Sequence, residues 1–194
     1  AAIWSSPRRE ILDFPLPSFL SFCHNHGLLA IADRPQWRTV VGGARTYVEK
    51  IAAHLPDVRI DTPVRRILRR HDHVLVDTPQ RAGERFDEVV LACHSGDARS
   101  LLADRSPQED RALARIRYQR NRVILHTDPA LLPRARRAWA AWNYLSADDP
   151  AGVRPVAVSY LINKLQPLPC RTPVIVTLNP PFEPARAHVL REFE

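Results

Sequence analysis

Three groups of side chains in this sequence have types and spacing that invite a chemical reading. Cys23, His24 and His26 bring sulfur and imidazole ligands together within four residues. His94, Ser95 and Asp97 set the residue types of a nucleophilic relay side by side. His126 stands in a run of β-forming residues, where an imidazole is able to exchange a proton near neutral pH. Spacing removes most of this. On a helix, positions i, i+1 and i+3 do not share one face, and His24 points well away from Cys23, so core or helix-end roles are favoured and no metal site is expected. His94, Ser95 and Asp97 cannot form a triad by spacing alone, and no G-x-S-x-G elbow accompanies them. A buried or surface strand histidine is the preferred reading of His126. No catalytic side chain is assigned.

What remains is backbone chemistry. Gly42-Gly43 precedes a helical period, which makes the pair either a tight strand-to-helix turn, the favoured reading, or a place where a helix N-terminus approaches a ligand. Trp139, Trp142 and Tyr144 either line an apolar substrate pocket or form sheet core, with core favoured.

These groups need elements to position them. From Ser18 the apolar spacing predicts a helix to about Gly27, and Trp37 to Val41 reads as a strand stopped by Gly42-Gly43. Tyr47, Val48, Ile51, Ala52 and Leu55 follow the i, i+3, i+4 rule, predicting a helix of about 11 residues with one buried face. Val58 to Ile60 reads as a short buried strand. Val64 to Leu68 and His73 to Thr78 form a hairpin-like pair, and Phe86 to Cys93 ends in an apolar run typical of a strand covered on both faces. A helix or turn begins at Gly96. Ser106 is placed to cap a further helix, with Pro107 at N1 and acidic residues in its first turn. Beyond it, Arg122 to Thr127, Ala138 to Leu145, Val156 to Leu161 and Val174 to Leu178 are β-rich segments without long helices between them, the pattern of an antiparallel sheet. The fold class is α/β in its first part and α+β overall.

Composition sets the limits. A chain of 194 residues with 45% apolar and 25% charged residues is ordinary globular material, so disorder is not expected. The +7 formal charge is almost all arginine, Lys50 and Lys164 being the only lysines. The arginines sit in scattered pairs without an RNA- or DNA-reading motif, so nucleic acid is not an expected partner. Cys23, Cys93 and Cys170 are odd in number and lack C-x-x-C spacing, which fits a reducing cytoplasm. No apolar run reaches the ~18 residues needed to cross a bilayer, so stable membrane insertion is not expected. The lack of any methionine, the start at Ala1 and the stop just after an extended segment create the expectation of an internal piece of a longer protein.

The residues VVGG at 40–43, the helix ending near Leu55, VRIDTPVRRI at 58–67 and FDEVVLACH at 86–94 together resemble the flavin-containing amine oxidase superfamily. FCHNHGLL and DRPQWRTVVGG are similar to its uncharacterised bacterial NAD/FAD-binding branch. The resemblance implies FAD as cofactor, a partial FAD-binding domain with a β-meander over 37–103, and a substrate domain made of a helical part at 1–36 and a mainly antiparallel sheet at 104–194. It implies that Val64 contacts the adenine end through its backbone, that Ala92 and Cys93 lie where a strand end faces the cofactor, and that Gly42 and Gly43 are candidates beside them. The G-x-G-x-x-G segment that grips the pyrophosphate and the family's C-terminal flavin segment are absent from these residues. Where the family's amine oxidases place a lysine, LHTDPALLP has Thr127, with His126 beside it.

The implied activity is transfer of hydride from an organic small-molecule substrate to FAD, by the full-length protein rather than by the isolated chain, and analogy with the family suggests a hydrophobic substrate. The alternative is a noncatalytic module whose basic surface engages an acidic partner or membrane headgroups. Strand edges lacking neighbours create an expectation of self-association.

Overall fold

The computed structural model describes residues 12–33, 35–118, 120–145 and 156–193, so most of the helical or irregular start expected at 1–14 lies outside the described residues. Two compact units are present: Ala1–Ile51 with Arg120–Glu194, and Ala52–Gln119.

Helix α1, Leu16–Asn25, begins two residues before Ser18, with Pro17 in its first turn, where the missing N–H costs nothing. It ends in a Schellman turn. Gly27 takes φ +63°, Gly27 N–H donates to His24 O at 3.0 Å, and Leu28 N–H donates to Cys23 O at 2.9 Å. Trp37 to Val41, expected as a strand, pairs with no strand among the described residues, and Val41 already belongs to the turn at Gly42. The expected helix follows as α2, Arg45–Ala52, and none of its residues is buried. Tyr47, Val48 and Ile51 are exposed, so its apolar stripe lacks the cover that its spacing was read to require.

The second unit is built on the expected meander. Strands β1 (Arg66–Arg69), β2 (Val74–Asp77) and β3 (Glu84–Phe86) pair antiparallel in sequence order. Ile67 and Val76 face each other in register and are buried. Val58 to Ile60 does not form the expected buried strand, and the expected strand at Phe86 to Cys93 stops at Phe86. Val58 and Ile60 are exposed, and Val90 is 91% exposed. Neither stretch has a strand partner among the described residues, and a strand exists only where a neighbour takes its N–H and C=O groups.

Helix α3 (Ser95–Leu101) leads to α4 (Pro107–Arg115). Ser106 caps α4 as its sequence predicts. Glu109 N–H donates to Ser106 Oγ at 3.2 Å and Ser106 N–H donates to Glu109 Oε2 at 2.7 Å, closing a capping box. Arg69 reaches from β1 to Asp104 and Glu109, while Arg99 and Arg105 both bind Asp110, tying the helices to the meander. These guanidinium and backbone donors hold the Glu109 carboxyl down to about 2.

The antiparallel sheet of the first unit contains every β-rich segment expected there. Strands β4 (Val123–His126), β5 (Trp142–Leu145), β6 (Ala157–Leu161) and β7 (Ile175–Leu178) are joined by β8 (Val189–Phe193), in the spatial order β5-β6-β7-β4-β8. A short helix, α5 (Ile162–Leu165), follows β6. One face is closed. Leu132, Leu161 and Ile175 pack together with Trp139 against them, and Ile124 and Leu131 are fully buried.

Candidate cofactor and substrate surfaces

The approach to Val64 is a constrained stretch of backbone. Asp61 adopts φ +52°, Thr62 Oγ1 donates to Ile60 O at 2.9 Å, and Pro63 fixes the next φ. The first meander bond comes one residue later, from Arg65 N–H to Asp77 O at 2.8 Å. Val64 therefore stands just before the ladder, 38% exposed, and its N–H and C=O pair with no backbone group among the described residues. Arg59 steadies the preceding segment through a two-pronged grip on Glu84, at 2.6 and 2.9 Å, with Asp57 on its Nε at 2.7 Å. That guanidinium holds the Glu84 carboxyl below the usual range.

Ala92 and Cys93 are exposed at the end of the run Val89 to Cys93, whose backbone groups likewise pair with no other backbone group among the described residues. The next turn is anchored. His94 stacks on Tyr118 with centroids 4.0 Å apart, Ser95 N–H donates to the Tyr118 hydroxyl at 3.2 Å, and Ser95 Oγ donates to Ile116 O at 3.2 Å. Ser95 is thus occupied by structure, not poised as a nucleophile. Val64, Ala92 and Cys93 belong to the second unit, and Gly42 and Gly43 to the first.

The glycine pair makes a turn with φ +86° and +82°. Gly43 N–H donates to Val40 O at 3.0 Å, and Gly43 O accepts from Thr46 N–H and Thr46 Oγ1. Both of its polar groups are spent on starting α2. A Cβ on Gly42 would lie 2.8 Å from Thr46 Cγ2, so that position requires glycine twice over, by conformation and by space.

His126 is fully buried. Asp128 N–H donates to its Nδ1 at 3.1 Å, so Nε2 carries the proton and donates to Thr177 Oγ1 at 2.8 Å. Thr177 Oγ1 lies 2.7 Å from Ser159 Oγ, and Asn143 donates to Ser159 O at 3.2 Å. The four side chains form a polar line across β4, β7, β6 and β5 inside an otherwise apolar face. Burial holds the imidazole below its ordinary pKa, hence neutral. Thr127 Oγ1 pairs with His188 Nδ1 at 2.9 Å. His126 is therefore withheld from any reactant, while the Thr127–His188 pair lies at the surface. At Cys23, His24 and His26 the outcome is equally structural: Cys23 is buried, and His26 donates to Phe22 O at 2.8 Å and stacks on the Phe22 ring. Among the described residues no group of three or more His, Cys, Asp or Glu side chains is arranged to hold a metal.

Of the aromatic cluster expected mainly as sheet core, Trp139 packs on the core, but Trp142 and Tyr144 stand half-exposed on the other face of the large sheet. Register places Trp142 and Tyr144 of β5, Val158 and Tyr160 of β6, Val176 and Leu178 of β7, Val123 and Leu125 of β4, and Arg191 and Phe193 of β8 on it. Trp142 meets Tyr160 edge to face at 5.9 Å, and Arg191 lies over the Phe193 ring at 5.0 Å. Trp142 and Tyr144 remain 44% and 47% exposed. It is a broad apolar face carrying one cation. The signal for it is the alternation of large apolar residues with Asn143, Ser159 and Thr177, which becomes a face only once the register is known.

Comparison with known proteins places this arrangement. The flavin-containing amine oxidoreductase family matches residues 1–164, and the chain belongs to that family, whose members use FAD. No curated protein matches closely enough to count as a relative. The fold is similar to that of a CLA-producing fatty acid isomerase from P. acnes, with a TM-score of 0.50 and 17% sequence identity over 93% of this chain. The chain spans 43% of that protein's length. No helix among the described residues is long and apolar enough to cross a membrane.

Proposed function

We propose that this chain supplies the adenine-side wall of the FAD site and the apolar wall of the substrate site in an FAD-dependent oxidoreductase that removes hydride from a hydrophobic organic substrate. The observation that carries the reading is Val64: in a member of a flavin family, its backbone donor and acceptor pair with no backbone group among the described residues, immediately before a buttressed meander. Val64 N–H and C=O would bind the adenine edge, and Ala92 and Cys93 would let the cofactor come close because neither carries bulk. Bound FAD would supply the hydride-accepting, two-electron chemistry. The chain's own residues have the quieter work of binding, orienting and excluding water. The half-exposed face around Trp142, Tyr144 and Tyr160 would hold apolar substrate, a class that includes the fatty acid named for the structural neighbour. His126 takes no proton in this scheme, since both its nitrogens are committed within the sheet.

The pyrophosphate-gripping glycines would come from polypeptide outside these residues, which makes the isolated chain inactive and a poor FAD binder. A reducing, cytoplasmic location is part of the same reading and suits the free thiols of Cys23, Cys93 and Cys170.

The test is a pair of substitutions in the full-length protein. Val64→Ala keeps both backbone groups and is expected to bind FAD as the wild type does. Val64→Pro removes the N–H without touching the β1 ladder and is expected to weaken FAD about tenfold, as one lost hydrogen bond would. Equal affinity in the two variants would show that the Val64 backbone does not contact the cofactor.

A further inference from the structure

The hydride chemistry proposed above leaves a proton without a destination. Taking hydride from a carbon that bears a hydroxyl also releases the hydroxyl proton, and the residues given to binding and orientation accept none. The half-open face of the large sheet holds a candidate at the end of β4. Burial alternates along that strand and past its end. Ile124, His126 and Asp128 are buried, while Val123, Leu125 and Thr127 are only partly covered. Thr127 therefore stands on the face that Leu125 shares with Val176, Tyr160 and Trp142 in register. Thr127 N–H donates to His188 O at 2.9 Å, and its hydroxyl pairs with His188 Nδ1, so the exposed His188 ring lies on that face as well.

The pair is held from behind. Asp128 accepts from Ala130 N–H at 2.9 Å and from Ala185 N–H at 2.8 Å, and His188 N–H donates to Ala185 O at 2.8 Å, which closes the turn that carries the ring. The groups whose fields reach His188 are Asp128 and His126. His126 is neutral, and the N–H groups of Ala185 and Ala130 hold the Asp128 carboxyl below its ordinary range, hence ionised. In the tautomer that donates from Nδ1 to Thr127 Oγ1, His188 Nε2 carries the lone pair, and that bond survives when the ring gains a proton. The face also selects the charge of what it takes. Arg191 is the one charged residue that register places on it, since Asp128 is buried and Glu192 stands opposite buried Ile124, bound to Arg122. A protonated amine would meet a cation there and no carboxylate. A neutral hydroxyl would meet an apolar wall and an imidazole nitrogen.

We propose that His188 Nε2, positioned by Thr127, is the proton acceptor in the oxidation of an apolar alcohol held on this face. As the carbon–hydrogen bond breaks and its hydride passes to FAD, the oxygen–hydrogen bond breaks as well. Its electron pair closes the carbonyl double bond, and the proton goes to Nε2, from which water removes it. The inference rests on the flavin function proposed above, and the two fail separately in the experiment.

The experiment measures the FAD content of the purified full-length protein, then mixes it anaerobically with 1-octanol or with octylamine and follows the flavin absorbance across neutral and acid pH. Octanol is expected to bleach the flavin and octylamine to leave it oxidised. The octanol rate should be lost as acid protonates the imidazole, because only the neutral ring can accept. His188→Gln is expected to keep its FAD, to slow bleaching on the order of a hundredfold and to flatten the pH profile. Thr127→Val should slow bleaching and alter the profile, and Thr127→Ser should restore both. His24→Gln, which removes an exposed histidine of α1, should match the wild type in rate and profile. The proposal is overturned by wild-type rate and profile in His188→Gln, by equal slowing in His24→Gln, by bleaching with octylamine in place of octanol, or by bleaching with neither. A protein that contains no FAD before any addition overturns the flavin function itself, and this proposal with it.

Discussion

His126 shows how far a residue's chemistry depends on what surrounds it. As a histidine beside an Asp-Pro pair it is an acid/base candidate; in the fold it is a neutral link between Asp128 N–H and Thr177. His126→Ala should cost about 2–4 kcal/mol, because it opens a cavity and leaves the Asp128 N–H without its acceptor. The same environment has a pH signature. Burial depresses the folded-state pKa, so the stabilisation is complete above the unfolded value of about 6.5 and is lost as pH falls below it, where the unfolded chain takes up a proton that the native state refuses. Urea midpoints measured between neutral pH and about pH 5 should therefore fall in the wild type and fall less in His126→Gln, which keeps a donor and an acceptor but does not titrate. Gly42 is the second test at this scale. Gly42→Ala meets both a left-handed φ and the Thr46 methyl, and should lower stability by about 1–2 kcal/mol in denaturant unfolding. The glycine turn was legible in the sequence because only glycine is at ease there. The role of His126 was not, because its partner Thr177 lies fifty-one residues away and becomes adjacent only through the β4–β7 register.

Among elements, those whose ends are set by local chemistry were legible and those that need a distant neighbour were not. The capping box at Ser106, the Gly27 terminus of α1 and the meander all follow from residues within a few positions of one another. The segments Trp37 to Val41, Val58 to Ile60 and Val89 to Cys93 have strand composition but no strand to pair with among the described residues, so composition alone misread their state. Val90 is the sharpest case. Its side chain is almost wholly exposed in a run rich in β-branched residues, which is a template for pairing between chains. The isolated chain is expected to self-associate through such segments, and Val90→Lys should shift it toward monomer in sedimentation velocity. A monodisperse wild-type monomer would remove that expectation. The terminal strand β8 had no assignment from sequence, since VLREF alternates too weakly to be separated from a loop.

For the whole molecule, two units carry two different kinds of surface. The second presents unpaired backbone near Val64 and Ala92, and the first presents a large sheet with a sealed polar-lined face and a half-open apolar one. The chain belongs to the flavin-containing amine oxidoreductase family, and on the function proposed above one of these surfaces would hold cofactor and the other an apolar substrate. The most direct measurement is the visible absorption spectrum of the purified full-length protein, followed by extraction and quantification of its cofactor. The account predicts flavin bands and FAD approaching one equivalent per chain. A colourless protein that gains no flavin signal when FAD is added would contradict it.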